Sequence, residues 1–343
     1  MNKIRFTFWV TEECNLRCRY CYVKKQPIVM NKIVAKDCLA FVDKIAGAEG
    51  NEQSAILISF HGGEPLLNFE IIRDMTKELN QKYSQRIMFR ITTNGTVYDE
   101  KIFSFLIYYK FQLSISIDGT KDSNDLNRID VKGNSSYQKV IKTLDYFNRV
   151  QYEIRVRMTV NPRNVNLFAD GFKFLFLKGH KAVAFAIDMF DETWNKAYFE
   201  IYEQQLGHII DFLEAMSPNL SRYYLDNIKS TYLIPRLPCK GGQISFHIDG
   251  NGVIFPCMHA VQDHDLNIGN IRDGIDQKRY IKLKEINALE NPGCRSCKAK
   301  DICSAGPCKI INKVQTGEFL IPSNKNCSMI RVSNNLIKLY EKG

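Results

Sequence analysis

No stretch of about 18 apolar residues occurs anywhere in the 343-residue chain, so a membrane-spanning helix is not expected. The opening residues, MNKIRFTFWVTEEC, lack the basic, apolar and small-residue succession of a secretory signal, which predicts a cytoplasmic protein. Internal repeats and low-complexity tracts are absent, so neither a solenoid nor a compositionally disordered scaffold is indicated. Missing too is any stripe of Arg and Lys interleaved with aromatics. Nucleic acid is therefore a poor candidate partner, although 47 Lys+Arg against 37 Asp+Glu give a net charge of +10. That surplus favours an acidic partner such as an acidic peptide, or simply a solvated surface. The balance of 45% apolar and 24% charged residues is that of an ordinary globular protein. The length suits a barrel-sized domain with a smaller one.

Cysteine is plentiful. Eleven in a chain without an export signal argue for metal ligation over disulfides. Cys14, Cys18 and Cys21 form C-x3-C-x2-C in the run TEECNLRCRYCYVK. Three thiolates this close can hold three irons of a [4Fe–4S] cube, leaving the fourth open to a small chelating ligand. The next cysteine, Cys38, falls at helical spacing in IVAKDCLAFVDKI and reads as a core residue. A zinc knuckle would add a second pair and close at four ligands.

From the start to about residue 215, short β-branched and aromatic runs alternate with helix-period segments. The expected strands are Ile4–Thr11, Ala55–His61, Met88–Thr93, Gln112–Ile117, Glu153–Asn161 and Val183–Met189. Helices are expected at Lys32–Ile45, Phe69–Tyr83, Glu100–Tyr109, Ser136–Asn148, Leu167–Lys178 and Thr193–Met216. Such an α/β succession fits a partial (β/α)6 barrel over residues 1–216, with its site at the C-terminal strand ends. Ser217–Leu237 reads as a mixed linker. Residues 217–343 form a cysteine-rich second part with a closing helix after Ser328.

The cysteine loop after the first strand, with Tyr20 just before the last cysteine, resembles the radical S-adenosylmethionine (SAM) superfamily. The resemblance implies that the open iron is chelated by the amino and carboxylate groups of SAM. It also implies that one electron cleaves SAM to a 5′-deoxyadenosyl radical, which takes hydrogen from substrate. In FHGGEP, Gly62 and Gly63 allow close backbone approach and Glu64 offers an acceptor for an ammonium group, followed by Pro65. This segment resembles the superfamily's GGE motif, with His61 lining the site. The run TTNGT, with Thr93 and Asn94, would line the SAM site. Ser116 and Arg128 would hold the SAM carboxylate, Asp118 would stabilise a turn, and Val160 would face the adenine.

Downstream, Cys239, Gly252, Cys257, Cys294, Cys297, Cys303, Cys308 and Cys327 resemble the SPASM domain, which carries auxiliary clusters. One departure is CSAGPC, with four residues rather than three between Cys303 and Cys308, where Pro307 would absorb the extra residue in a bulge. The resemblance implies a distal [4Fe–4S] cluster on Cys294, Cys297, Cys303 and Cys327, and a nearer one on Cys239, Cys257 and Cys308. That makes three clusters with the SAM-binding one. The nearer set lacks a fourth cysteine. Either His247, Asp249 or His259 completes it, or an iron stays open for a substrate thiolate.

The resulting expectation is a radical SAM peptide maturase. It would act on a ribosomal precursor peptide to form a thioether or carbon–carbon crosslink, with electrons leaving through the auxiliary clusters. Asp188, at the sixth strand end, is a candidate base. A flavodoxin or ferredoxin would supply electrons, and a separate protein or the basic barrel surface would bind the leader, since the cluster motif begins at residue 14. The alternatives are an anaerobic sulfatase-maturing (formylglycine-forming) enzyme, a radical SAM oxidase of a small molecule, and a non-catalytic iron–sulfur scaffold. The sulfatase-maturing pattern has Asp where this chain has Met258.

Overall fold

The computed structural model describes residues 3–234, 239–304 and 308–341. Its first part alternates strand and helix as the periodicity predicts. In order come β1 (Lys3–Thr11), α1 (Lys32–Ala46), β2 (Ala55–Gly62), α2 (Phe69–Tyr83), β3 (Ile87–Thr93) and α3 (Glu100–Tyr108). They are followed by β4 (Gln112–Ser116), a short α4 (Lys121–Asp125), α5 (Tyr137–Arg149), β5 (Arg155–Val160), α6 (Phe168–Leu177) and β6 (Ala182–Ile187). Local chemistry starts the helices where expected. Asn31 and Asp99 accept hydrogen bonds from the first free N–H groups of α1 and α3.

β1 to β6 pair in parallel in chain order and form a curved sheet that does not close. Along β1, Phe6 and Phe8 turn outward; Phe6 meets Phe41 of α1 edge-on at 6.2 Å. The alternate residues turn inward, where Trp9 stacks on His61 at 4.8 Å. Helices cover the outer face and the inner face is left for the site, which is the architecture of a partial (β/α)6 barrel.

The chain continues through α7 (Lys196–Met216) and α8 (Pro218–Tyr232). Helix α8 corrects the expected linker. Pro218 begins it without losing an intrahelical bond, and Ser221, Tyr224 and Ile228 bury one face at helical spacing. The prolines had suggested irregular chain, but the first occupies the one helical position that tolerates it, and residues 235–238 lie outside the described part.

Beyond these come β7 (Ser245–Ile248), β8 (Val253–Phe255), β9 (Gly269–Asn270), β10 (Gly274–Ile275), α9 (Gln277–Ala288), α10 (Lys309–Thr316) and α11 (Asn324–Tyr340). Strand β7 joins the free side of β1 in parallel, and β8 to β10 follow antiparallel. Among the described residues one sheet of ten strands thus crosses the boundary expected near residue 217. Phe246 of β7 packs on Phe6 at 5.4 Å, so the two parts share a core.

Candidate active site at the mouth of the half-barrel

A cavity of about 430 Å³ opens at the C-terminal strand ends. Cys14, Cys18 and Cys21 line it together with Tyr20, His61, Gly62, Gly63, Thr93, Asn94, Ser116, Arg128 and Asp188. Twelve separate sequence positions are thereby gathered into one place, because parallel strands in register deliver their ends to one rim.

The loop carrying the three cysteines is tied to the end of β3. Asn94 Nδ2 donates to Asn15 Oδ1 at 2.8 Å, and Asn15 Nδ2 donates to Thr96 Oγ1 at 2.8 Å. Glu64 lies fully buried behind the wall of the cavity. Its Oε1 accepts from Thr93 Oγ1 at 2.7 Å and Leu66 N at 3.1 Å, and its Oε2 accepts from Asn94 N at 2.7 Å. A carboxylate has about four acceptor positions, so three donors orient it and leave room for one more. Burial raises the Glu64 pKa, and a cationic donor would offset that penalty. Pro65 is buried next to it, in the short 3-10 turn that Glu64 caps, and positions that carboxylate without lining the cavity.

Gly62 and Gly63 are required here. A Cβ on Gly62, whose φ is +141°, would sit 2.0 Å from the Thr11 carbonyl oxygen; one on Gly63 would sit 2.1 Å from that of Glu13. The glycines let β2 close against the base of the cysteine loop.

Across the cavity a polar network forms. Tyr20 Oη donates to Asp118 Oδ2 at 2.8 Å and accepts from Arg128 Nη1 at 2.7 Å, while Asp118 Oδ1 accepts from Thr159 N at 2.9 Å. Asp118 therefore does more than hold a turn. Burial pushes its pKa up to about 6, with the Arg128 charge opposing. Arg128 is 4% exposed, and its Nε is buried without a hydrogen-bond partner. That orphaned donor, with Ser116 on the same wall, fits an anionic group entering the cavity.

Val160 is the departure. Its side chain lies in the hydrophobic core, because β5 turns Val156, Met158 and Val160 toward the helices, whereas Arg157 and Thr159 face the cavity. The strand was correctly placed but the face was off by one residue. His61 lines the cavity, stacked on Trp9, and burial lowers its pKa to about 4, which keeps it neutral near pH 7. Asp188 lines the cavity as well. Burial raises its pKa to about 6, its Oδ1 accepts from Phe190 N at 3.0 Å, and its carbonyl oxygen accepts from Trp194 Nε1 at 2.9 Å.

Sequence reasoning did not find Lys25, whose Nζ donates to Cys21 Sγ at 2.9 Å, or Tyr22, stacked on Phe190 at 6.0 Å. Nor did it find Met329 and Ile330 of α11, which close the cavity from the chain's far end. An aromatic after the third cysteine was a signal for Tyr22. Nothing local marks α11, which is brought there by tertiary packing.

The later cysteines gather into two groups. Cys294, Cys297, Cys303 and Cys327 line one cavity of about 320 Å³, beside buried Asn291 and Lys309. Cys239, Cys257 and Cys308 lie near one another, each adding to the field at another; burial, then Cys308, pushes the Cys257 thiol up to about 12. Pro307, invoked for the extra residue, lies outside the described residues. His247 lies near His61 and His259, its Nδ1 buried without a hydrogen-bond partner, and Asp249 Oδ1 accepts from the N–H groups of Asn251 and Val253. His259 lines the main cavity, 6.5 Å from the Tyr22 ring. Cys38 is fully buried in the core, as its spacing predicts. Among the described residues no three metal-ligating side chains close on a single ion position. A cube, whose irons each take one thiolate, asks for thiols spread around a larger body.

Residues 10–175, just under half of the chain, match the family model described as the Radical SAM superfamily, so this part of the chain is a radical SAM domain. It is 25% identical over 319 residues to the cysteine-type anaerobic sulfatase-maturating enzyme of Clostridium perfringens, covering 85% of each chain. It is 22% identical to the radical SAM cyclopropyl synthase TigE of Paramaledivibacter caminithermalis, over 94% of this chain and 71% of that one. Its fold matches the solved structure of native anSMEcpe with bound AdoMet and Cp18Cys peptide, with a TM-score of 0.76, 22% identity and 99% of each chain covered. A radical SAM domain implies a [4Fe–4S] cluster and SAM. The three-thiol loop, the oriented Glu64 and the orphaned Arg128 Nε fit both groups. No helix among the described residues is long and apolar enough to cross a membrane.

Proposed function

We propose that this chain is a peptide maturase that oxidises a residue of a ribosomally made peptide and closes a thioether or carbon–carbon crosslink. The observation that carries this reading is the pair of cysteine groups beyond the site, Cys239/Cys257/Cys308 and Cys294/Cys297/Cys303/Cys327. Making a bond after removing a hydrogen atom leaves one electron to be passed on, and two auxiliary clusters on these thiols would provide the path. When bound, the SAM-site cluster and SAM supply the radical that removes the hydrogen.

The chain's own residues bind and orient. Cys14, Cys18 and Cys21 would hold the cluster, Glu64 would take the SAM ammonium, and Ser116 with Arg128 the carboxylate. Tyr20 and Asp118 fix the Arg128 guanidinium, and Lys25 steadies the Cys21 sulfur. Asp188 would accept a proton from the substrate. The three-thiol set, which holds no fourth cysteine, would leave one iron open to a substrate thiolate.

Formylglycine formation is the second reading, favoured by the relatives that share 85% of the chain. Against it, Met258 lines the cavity at the position expected for a carboxylate base. The test is anaerobic turnover of the reconstituted, reduced protein with SAM, offering either a Cys-containing sulfatase peptide or, as the second substrate, any short Cys-containing peptide that a neighbouring gene is found to encode. Loss of two hydrogens from the second peptide supports crosslinking. Replacement of a cysteine's sulfur and two hydrogens by one oxygen in the first supports the alternative. Absence of 5′-deoxyadenosine in every mixture refutes both.

A further inference from the structure

The half-barrel leaves one strand edge without a partner: among the described strands β6 pairs only with β5. In a parallel ladder successive residues bond to opposite sides. Asp188 N donates to the Val160 carbonyl at 2.7 Å, so the residues in step with it face β5. The backbone groups of Val183, Phe185 and Ile187 then turn outward. Val183 confirms the phase, since its N–H donates to Tyr224 Oη at 3.1 Å, and that hydroxyl in turn donates to the Lys181 carbonyl at 3.0 Å. Nearer the mouth, among the described residues, half-buried Phe185 has no such cap from α8, leaving a template for another strand, while Ile187 beyond it is buried and borders the site cavity.

A groove of about 250 Å³ runs beside this edge, lined by Ala184, Phe185, Tyr223 and Arg155, and Thr231 and Tyr232 border both it and the site cavity. The inner face of β6 carries Ala182, Ala184 and Ala186, too short to screen what lies behind. Behind them Arg155 and Arg157 project from β5 into the groove and the cavity. Arg90 and Arg5 stand on the same inner face of the sheet, close enough to Arg155 and Arg90 respectively to repel them, and all four arginines are exposed. Among the described residues none of these four guanidinium groups enters an ion pair. Among the described residues the side chain of Arg155 donates to the Ser114 hydroxyl alone, at 3.1 and 3.0 Å, and that of Arg90 to the Gln112 side-chain oxygen, at 2.5 Å. Partial desolvation, then the neighbouring guanidinium groups, lowers the pKa of Arg90 and of Arg155. Like charges gathered without a counter-charge favour an anion from outside.

We propose that the peptide substrate enters through the open side of the half-barrel as an extended strand on the free edge of β6, with an acidic side chain held by Arg155 and Arg157. This rests on the maturase reading above and adds the direction of entry and the charge that is read. Strand residues share a face at every second position. The acidic residue therefore stands an even number of positions from the residue delivered to Asp188.

Arg157 and Arg155 are in register with Ala184 and Ala182, four and six positions from Asp188. The probes are therefore fluorescein-labelled synthetic peptides with one cysteine, carrying Glu four positions away, Gln four positions away, or Glu five positions away. Anisotropy with the anaerobically reconstituted full chain and SAM reads their affinities. The even-spaced Glu peptide should bind about tenfold more tightly than the other two, the size of one good charge pair. N-methylation of its alternate backbone amides should remove a similar factor, and Arg155→Glu should erase the preference for Glu over Gln. Equal binding of all three peptides to the wild-type chain overturns the proposal without any appeal to a variant's folding, as does a preference that survives Arg155→Glu. Peptide turnover and 5′-deoxyadenosine are measured alongside. Turnover without an acidic preference overturns the track and leaves the maturase reading standing. SAM cleavage with no peptide bound or altered overturns both.

Discussion

At Glu64 three donors and complete burial meet on one carboxylate. Such a group is oriented before ligand arrives, and removing its charge forfeits a charge-assisted bond. Glu64→Gln should weaken SAM binding by about ten- to a hundredfold, measured by equilibrium dialysis, while iron per chain stays at the wild-type level. Asp188 makes a prediction about pH. Its folded pKa of about 6 lies above the ordinary 3.8, because burial penalises the anion. The native state thus holds a proton that the unfolded chain has released, and stability attributable to this group falls as pH rises from about 4 to about 6. Asp188→Asn should remove that decline and be more stable near pH 7 by on the order of 1–3 kcal/mol, read from denaturant midpoints. If Asp188 is the base, peptide turnover in the wild type should rise through about pH 6, and the variant should lose that inflection while still cleaving SAM.

Among the elements, the contact of β2 with the cysteine loop admits no side chain. Gly63→Ala would drive a methyl to 2.1 Å from the Glu13 carbonyl oxygen. The expected result is a loss of roughly 2 kcal/mol or more and poor retention of the iron held by Cys14, Cys18 and Cys21, followed by thermal melting and iron assay. Strand placement was legible in the sequence wherever apolar runs ended in a motif, as in AILISFHGGEP, where the strand and its loop are contiguous. The face of β5 was less legible. RVRMTV alternates charged and apolar residues, and the charged face would ordinarily be given to solvent; here it lines a lumen, which put Val160 out of the site. Helix α8 was hidden for a similar reason, since Pro218 marks both linkers and helix starts.

For the whole molecule, the decisive fact is that β7 completes the sheet beside β1, with Phe246 packed on Phe6 and Phe41. A chain ending at Met216 should therefore fail to fold as an isolated barrel, exposing Phe6 and the edge of β1, which solubility and circular dichroism would show. Iron content tests the cluster assignment. Reconstituted protein should carry about twelve irons per chain for three cubes, and a value near four would refute the auxiliary assignment. Replacing Cys294 and Cys297 together by Ala should lower the count by roughly one cube and slow peptide oxidation more than SAM cleavage.

The sequence by itself determined the chemistry on offer: the three-thiol loop, GGE, and the spacing of later cysteines are local patterns, and local patterns survive without coordinates. It also determined the alternation of strand and helix, because burial on one face imposes a period. Only the tertiary structure decided which side of each strand faces the lumen and that α11 closes the cavity. It alone joined β7 to β1 and left the edge of β6 beside arginines that enter no ion pair among the described residues. Those are relations between residues far apart in the chain, set by sheet order and packing, and no single segment carries them.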